Sequence, residues 1–278
     1  MLILKPPRII FDTNIFIDVA KGRIPVEDWW TVREFVNRNY MHTVTPVTVA
    51  ELLEGIARGD DEHFEKNQAP LRKLAKSFTS TLHVPHVKYF LHREIFGLDT
   101  VEPLGIETDF ATVVDIVLCA YTKEDLSTMN VKHKGYKAGV RLSALLQQND
   151  QRKALLEEQL SEAKIWRGDL SKDEWAYLKM IDLDIPNNPT NRRIFNERLG
   201  GFYEVERILL GWVRSETWKG GGLAAHVSDM NQAAYLAADD IHFVTREKQI
   251  VRAFEASSQA SRVFRWDNFL LRAKAQEN

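Results

Sequence analysis

The stretch RIIFDTNIFIDVAKG, residues 8–22, joins a short apolar run to a segment with helical spacing. The run RIIF follows two prolines and is too short for a helix, so it predicts a strand. The apolar spacing of TNIFIDVAK predicts a helix that ends at Gly22. A strand that leads at once into a helix is typical of crossover units, which build parallel sheets.

The same alternation of strands and helices continues to about residue 90 and returns after residue 222. Further strands are predicted at 42–47, 80–86, 241–245 and 261–266, and helices at 26–39, 47–57, 62–78, 228–238, 246–257 and from 267 onward. Because most of these helices span ten or more residues, they predict crossovers between parallel strands. We therefore predict an α/β fold, in which helices cover both faces of a central parallel sheet in an α/β/α sandwich.

Residues 93–222 do not follow this alternation and predict a large, mostly helical insertion. Long helical windows lie at 142–166 and 192–213, with little strand-like alternation around them. The predicted domain organisation is a core of residues 1–92 plus 223–278, interrupted by this insertion. Four of the seven tryptophans lie in the insertion, which suggests that it has a core of its own.

The composition of the 278 residues is that of an ordinary globular protein, with 44% hydrophobic and 27% charged residues. Lysine and arginine number 37 and aspartate and glutamate 39, so the net charge of −2 excludes nucleic-acid binding by bulk positive charge. No apolar stretch approaches 18 residues, so we expect no membrane span and no membrane partner. The single cysteine, Cys119, has no partner for an internal disulfide, and we expect it in the core of a cytoplasmic protein.

Four acidic residues occupy related places in the predicted elements. Asp12 follows the first strand, and Glu51 lies in the first turns of the helix after the second strand. Asp229 opens the helix before the strand at 241–245, and Glu247 follows that strand. In a parallel α/β sheet all these places lie on the edge where the strands end, which is where such sheets bind ligands. We therefore expect the four carboxylates to meet at that edge.

A group of carboxylates without cysteine or histidine companions favours a hard divalent cation, Mg²⁺ or Mn²⁺. Without a cation the carboxylates repel one another, and some need raised pKa values to stay neutral. One or two such ions lower the pKa of a bound water and stabilise the charge that develops on a phosphate under attack. The residues alone thus indicate metal-dependent phosphodiester hydrolysis and leave the choice between RNA and DNA open.

Three sequence blocks resemble, in order and spacing, the signatures of PIN-domain nucleases. They are FDTNIFID at 11–18, TPVTVAELLEG at 45–55 and SDMNQAAYLAADDIHFVTRE at 228–247. The resemblance covers the predicted core and leaves the insertion unexplained. It implies a PIN-like sandwich and a Mg²⁺- or Mn²⁺-dependent endoribonuclease that hydrolyses single-stranded or structured RNA.

The resemblance also implies roles for individual residues. Metal binding and catalysis would fall to Asp12, Glu51, Asp229 and Glu247, with Asn14 and Thr245 as supporting groups that orient carboxylates and water. The fourth acid of the family is usually aspartate, so whether the longer Glu247 fully replaces it is open. Asp239 and Asp240 are substitutes, but an unbroken helix from Asp229 would place Asp240 about 16 Å away, at the opposite edge.

Each of the four acids also has a purely structural interpretation. Asp12 could cap the following helix in an Asx turn, and Glu51 could form a capping box with Thr48. Asp229 could interact with the helix dipole, and Glu247 could be a solvated surface charge. The contacts of these side chains in the fold distinguish the two interpretations.

The window 127–149 of the predicted insertion contains basic residues and no acid. We predict a flexible basic loop there that clamps the RNA backbone through Lys132, Lys134, Tyr136, Lys137 and Arg141. Solvated surface is the simpler interpretation of such a charge run. A second, weaker basic patch contains Arg192, Arg193 and Arg198.

Two other functions compete with the endonuclease hypothesis. One is a PIN-like module that binds RNA or protein and has weak or lost nuclease activity, because the fourth acid is altered. The other is the toxin ribonuclease of a toxin–antitoxin pair, although such toxins resemble the core alone and this chain is about twice as long. The insertion would guide RNA to the site or hold a partner protein. The RNA substrate, the number of metal ions and the oligomeric state are left open.

Overall fold

A computed structural model describes residues 5–98, 114, 117–128, 131–133, 136–138, 185–202, 204–205, 208 and 232–277. Its strands are β1 (Arg8–Phe11), β2 (Met41–Val44), β3 (Thr81–His83), β4 (Val131–His133), β5 (Tyr136–Ala138), β6 (Ile241–Thr245) and β7 (Val263–Arg265). Five of them form one parallel sheet in the order β3-β2-β1-β6-β7, and β4 and β5 form a separate antiparallel hairpin. The predicted α/β class with a central parallel sheet is therefore confirmed.

Helices lie between and after the strands in the described residues. They are α1 (Thr13–Ala20), α2 (Val26–Asn39), α3 (Pro46–Arg58), α4 (Phe64–Lys76), α5 (Val87–Phe90), α6 (Lys123–Thr128), α7 (Pro189–Arg198), α8 (Lys248–Glu255) and α9 (Trp266–Glu277). Short 3₁₀ turns occur at Asp61–His63, Ala234–Ala237 and Ala260–Arg262, and a π turn at Leu91–Ile95. Within these described ranges, no helix is long and apolar enough to span a bilayer.

Two apolar cores lie on the two faces of the sheet, because successive side chains of a strand point to opposite faces. Ile9 and Phe11 of β1 join a first core with residues of α1, α2, α3, α4 and α9. Ile10 joins a second core with residues of α5, α7, α8 and the 3₁₀ turn at Ala234–Ala237. Helices therefore cover both faces, as the predicted sandwich requires.

The strand register brings three strand ends together at one edge of the sheet. Ile10 of β1 pairs with Thr43 of β2, and Phe11 pairs with Val244 of β6. The residues that directly follow β1 and β2, and the last residue of β6, are polar. We call this the carboxyl edge, and the opposite side, where β1 begins at Arg8, the amino edge.

The limits of several elements differ from the predictions, and capping explains the clearest case. The strand predicted at 42–47 ends at Val44, because the Thr45 hydroxyl accepts a hydrogen bond from the Thr48 N–H at 3.2 Å and starts α3. Pro46 then occupies the first helical turn, where its missing N–H costs nothing. The helix predicted at 26–39 and the strand at 241–245 are confirmed.

The region predicted as an insertion is described only in part. Where a flexible loop is expected, Val131–His133 and Tyr136–Ala138 form the antiparallel pair of β4 and β5, and the window 142–166 lies outside the described residues. Val117 packs in the first core, and Phe195 packs in the second. Some described residues of the region thus pack in the same two cores as the sheet. Cys119 is exposed, so its interpretation as a core residue is wrong.

Candidate functional site

Asp12 lies at the centre of the carboxyl edge. Its N–H donates to the Val244 carbonyl at 2.9 Å, which extends the pairing of β1 with β6 by one residue. Its side chain is 1% exposed, and Oδ1 accepts a hydrogen bond from the Asn14 N–H at 3.4 Å as the cap of α1. The capping interpretation is therefore confirmed, but it uses only one of the two carboxylate oxygens.

Thr245 at the end of β6 holds the other oxygen of Asp12. Its hydroxyl donates to Asp12 Oδ2 at 2.7 Å and accepts from the Glu247 N–H at 3.0 Å. The Glu247 side chain reaches toward the same place, because its Oε1 accepts from Asn14 Nδ2 at 3.5 Å. Asn14, Thr245 and Glu247 therefore all lie around Asp12, as the sequence predicts.

Glu51 enters the site from α3. Its carboxylate accepts a short hydrogen bond from the hydroxyl of Thr13, the residue after Asp12. The capping box proposed for Glu51 is wrong, because Thr45 and not Thr48 caps α3. Helix α3 thus turns Glu51 toward the end of β1.

A buried amide that the sequence reasoning missed connects these groups. Gln232 is 1% exposed, and its Nε2 donates to Thr48 Oγ1 at 2.9 Å and to Thr13 Oγ1 at 3.4 Å. Because Thr13 accepts from Gln232, its own hydroxyl hydrogen is directed to Glu51. A signal was present in the sequence, since Gln232 follows Asp229 by three residues and would share its face on a helix.

The surroundings of Asp12 raise its pKa from 3.8 to about 7. Burial is the largest cause, because it removes water from the charged form, and the carboxylates of Glu51 and Glu247 add repulsion. Hydrogen bonds from the Thr245 hydroxyl and the Asn14 N–H stabilise the charged form and offset part of the rise. The raised pKa of Asp12 therefore reflects both its burial and the nearby charges of Glu51 and Glu247.

The donor chemistry of the site fits a hard divalent cation. All its acidic groups offer oxygen ligands. An added positive charge would offset the cost of burying the Asp12 carboxylate and its repulsion by Glu51 and Glu247, both of which raise the Asp12 pKa. Within the described part of the chain, however, no three His, Cys, Asp or Glu side chains are grouped closely enough to hold a metal ion. Asp229, the remaining acid of the predicted set, lies outside the described residues.

The other predicted site residues lie elsewhere or are not described. Lys132 and Lys137 are register partners in the hairpin, as are His133 and Tyr136, whereas Lys134 and Arg141 lie outside the described residues. Asp240 is at the amino edge, where it forms an ion pair with Arg8 at 2.8 Å. Its exclusion from the site is therefore confirmed.

The comparisons with known proteins give no further guide to the site. No family model, curated protein or solved structure matches the chain.

The Thr245 hydroxyl stabilises the charged form of Asp12. Replacement by valine keeps the shape and removes this hydrogen bond, so the Asp12 pKa should rise further. If the site binds Mn²⁺, the pH at which Mn²⁺ begins to raise the melting temperature should increase by about one unit. Thermal unfolding with and without Mn²⁺ from pH 5.5 to 9 measures this midpoint.

Thr245→Ser is the matched control, because serine retains the hydroxyl. It should keep the wild-type midpoint. A Thr245→Val midpoint equal to that of the wild type would show that this hydroxyl does not influence the Asp12 charge.

Proposed function

We propose that the protein is a Mg²⁺- or Mn²⁺-dependent endoribonuclease with a PIN-like core. The observation that carries the proposal is the convergence of Glu51 and Glu247 on the buried Asp12 at the carboxyl edge. These acids come from three separate segments of the chain, and like charges around a buried carboxylate have no evident value for stability. A buried carboxylate with a raised pKa at the end of a parallel strand is instead typical of a functional site.

Each residue of the site has a part in this proposal. Asp12, Glu51 and Glu247, together with Asp229 outside the described residues, would hold the divalent ion. When bound, the ion would supply a nucleophilic water near neutral pH and neutralise charge on the phosphate. Thr13 and Thr245 orient the carboxylates through their hydroxyls. Asn14 orients Glu247.

RNA is proposed as the substrate because of the resemblance of the three sequence blocks to PIN-domain nucleases. The basic residues at 127–149 and the Arg192, Arg193 and Arg198 patch favour a polyanion of either kind. The cytoplasm is proposed as the location on the grounds of the single cysteine.

A binding module without nuclease activity is the second candidate. It is favoured by one observation, the lack of a three-ligand group among the described residues. The two functions differ in whether RNA is cut when metal is present, so one assay distinguishes them.

The test is an incubation of a pool of end-labelled RNAs with the protein, in Mn²⁺ and in EDTA. Wild-type protein should cut a subset of the pool in Mn²⁺ alone. Glu51→Gln should slow the cutting at least about tenfold, because the variant keeps the hydrogen bond from Thr13 but loses the charge.

Glu54→Gln is the matched control, since Glu54 is on the same helix and pairs with Arg58 at 2.8 Å. It should cut as fast as the wild type. A pool that stays intact in Mn²⁺ would favour the binding module, and equal cutting by Glu51→Gln and wild type would reject the assigned site.

A further inference from the structure

A second charged group joins helix α1 to the segment that follows β6. Asp18 of α1 is buried, and its Oδ1 lies 3.0 Å from a guanidinium nitrogen of Arg23. Its Oδ2 accepts a short hydrogen bond from Arg246. One buried carboxylate therefore holds two arginines that come from opposite ends of the sequence. We call these three residues the Asp18 cluster.

The Asp18 cluster has a surplus of positive charge. Two guanidinium groups share one carboxylate, which leaves one net positive charge. Each guanidinium carries five N–H donors, and Asp18 accepts one hydrogen bond from each. The side chains of Arg23 and Arg246 are 62% and 37% exposed. Donors of both arginines therefore remain accessible to a ligand from solvent.

The position of the cluster relates it to the carboxylates. In the sequence Arg246 lies between Thr245 and Glu247. The Thr245 hydroxyl donates to Asp12, and the Glu247 carboxylate accepts from Asn14. Asp18 follows Asp12 by six residues, which is about 9 Å along a helix axis. Arg246 thus brings a positive side chain to the end of β6, next in the chain to Glu247. A nucleic-acid strand with one phosphate at a divalent ion would bring a neighbouring phosphate to the arginines.

We infer that Arg23 and Arg246 bind one phosphate of a single nucleic-acid strand, next to the phosphate that is cut. Guanidinium groups suit this role because their planar donors match phosphate oxygens and their charge is permanent. Asp18 is a positioning residue: it aims both guanidinium groups without neutralising the pair. The location of the cut phosphate rests on the proposed function, whereas the phosphate contact itself requires no divalent ion.

The test measures binding without cleavage. The probe is a fluorescein-labelled, ten-nucleotide 2′-O-methyl oligouridine, and its anisotropy is titrated in EDTA at several salt concentrations. Arg246→Gln and Arg23→Gln should each weaken binding about tenfold. Each should also make the slope of log affinity against log salt shallower, by up to about 0.7, the value for complete loss of one phosphate contact on a single strand.

Arg38→Gln is the matched control, because Arg38 is 65% exposed and lies in the last turn of α2, just before β2 begins at the amino edge. It should leave affinity and slope unchanged. Arg246→Lys should restore the slope, since it keeps the charge, while melting temperatures show that all variants are folded. Arg23→Gln, at the more exposed position, preserves the test if Arg246→Gln unfolds the protein.

Unchanged affinity and slope in both arginine variants would overturn the inference, and so would a wild type that does not bind the probe. An equal loss in Arg38→Gln would also overturn it, because the effect would then be one of bulk charge. The outcome is separate from that of the nuclease assay, since Asp12→Asn should bind the probe at least as well as the wild type. Arginine-dependent binding without RNA cutting in Mn²⁺ would support the phosphate contact and reject the nuclease.

Discussion

Asp12→Asn is expected to slow Mn²⁺-dependent RNA cutting more than about 100-fold and to abolish the rise in melting temperature on addition of Mn²⁺. Loss of a supporting group around a metal typically costs 10–100-fold, and Asp12 lies at the centre of the site. Asparagine has the same shape, can still accept from the Asn14 N–H and can donate to Thr245, so the fold should be kept. Cleavage rates and thermal unfolding in Mn²⁺ and in EDTA measure both effects.

Asp240→Asn is the matched control for this prediction. This substitution makes the same chemical change, from carboxylate to amide, but at the amino edge, where Asp240 pairs with Arg8. This variant should keep both the Mn²⁺ response and the cutting rate per folded molecule. A strong Mn²⁺ response in Asp12→Asn would remove Asp12 from the metal site.

In EDTA the same Asp12→Asn substitution is expected to stabilise the protein, and the gain should grow as the pH rises. The Asp12 pKa is about 7 in the fold and 3.8 in its ordinary state, so between these values the folded protein binds a proton that the unfolded chain has released. Stability from this group is therefore lost as the pH rises from about 4 to about 7. Each unit of pKa difference is worth about 1.4 kcal/mol, so the gain should reach a few kcal/mol. Urea unfolding at pH 5, 6, 7 and 8 measures it.

Asp240→Asn should show the opposite sign. Burial alone would raise the Asp240 pKa, but hydrogen bonds and charge from Arg8 lower it overall. Its stabilising contribution is therefore present above its ordinary pKa and lost as the pH falls. If Asp12→Asn instead destabilised the metal-free protein at pH 8, the hydrogen bonds that the Asp12 carboxylate accepts would outweigh the cost of its burial and charge repulsion.

Much of the fold could be predicted because its signals are local. Apolar runs such as RIIF and IHFVT and the spacing of α2 identify strands and helices without knowledge of their neighbours. The errors arise where a side chain decides a boundary. Thr45 starts α3 with its hydroxyl and so shortens β2, although its own residue type is common in strands.

The meeting of Asp12, Glu51 and Glu247 could also be predicted, because the topology of a parallel sheet brings these places to one edge. The hydrogen bonds from Gln232 to Thr13 and from Arg246 to Asp18 could not be predicted. Gln232 is 219 residues from Thr13, and Arg246 is 228 residues from Asp18. Such contacts depend on the register of strands and on side-chain direction, which no local pattern contains. The positive charge of Arg246 beside the acids was missed for this reason.

The hairpin of β4 and β5 was missed for another reason. Each strand has only three residues, which is too few for alternation to be recognised. Lys and Gly residues in the same window favour a loop on composition alone. The cross-strand pairing of Lys132 with Lys137 therefore appears only in the structure.

The central claim is that the carboxylates of the carboxyl edge bind a divalent ion, and a crystal of the protein grown in Mn²⁺ tests it most directly. Anomalous scattering locates Mn²⁺ independently of the protein model. We expect a peak with an Asp12 carboxylate oxygen within about 2.0–2.5 Å and with Glu51, Asp229 or Glu247 bound directly or through water. A fully loaded crystal in which Mn²⁺ is absent from this edge, or binds only elsewhere, would contradict the account.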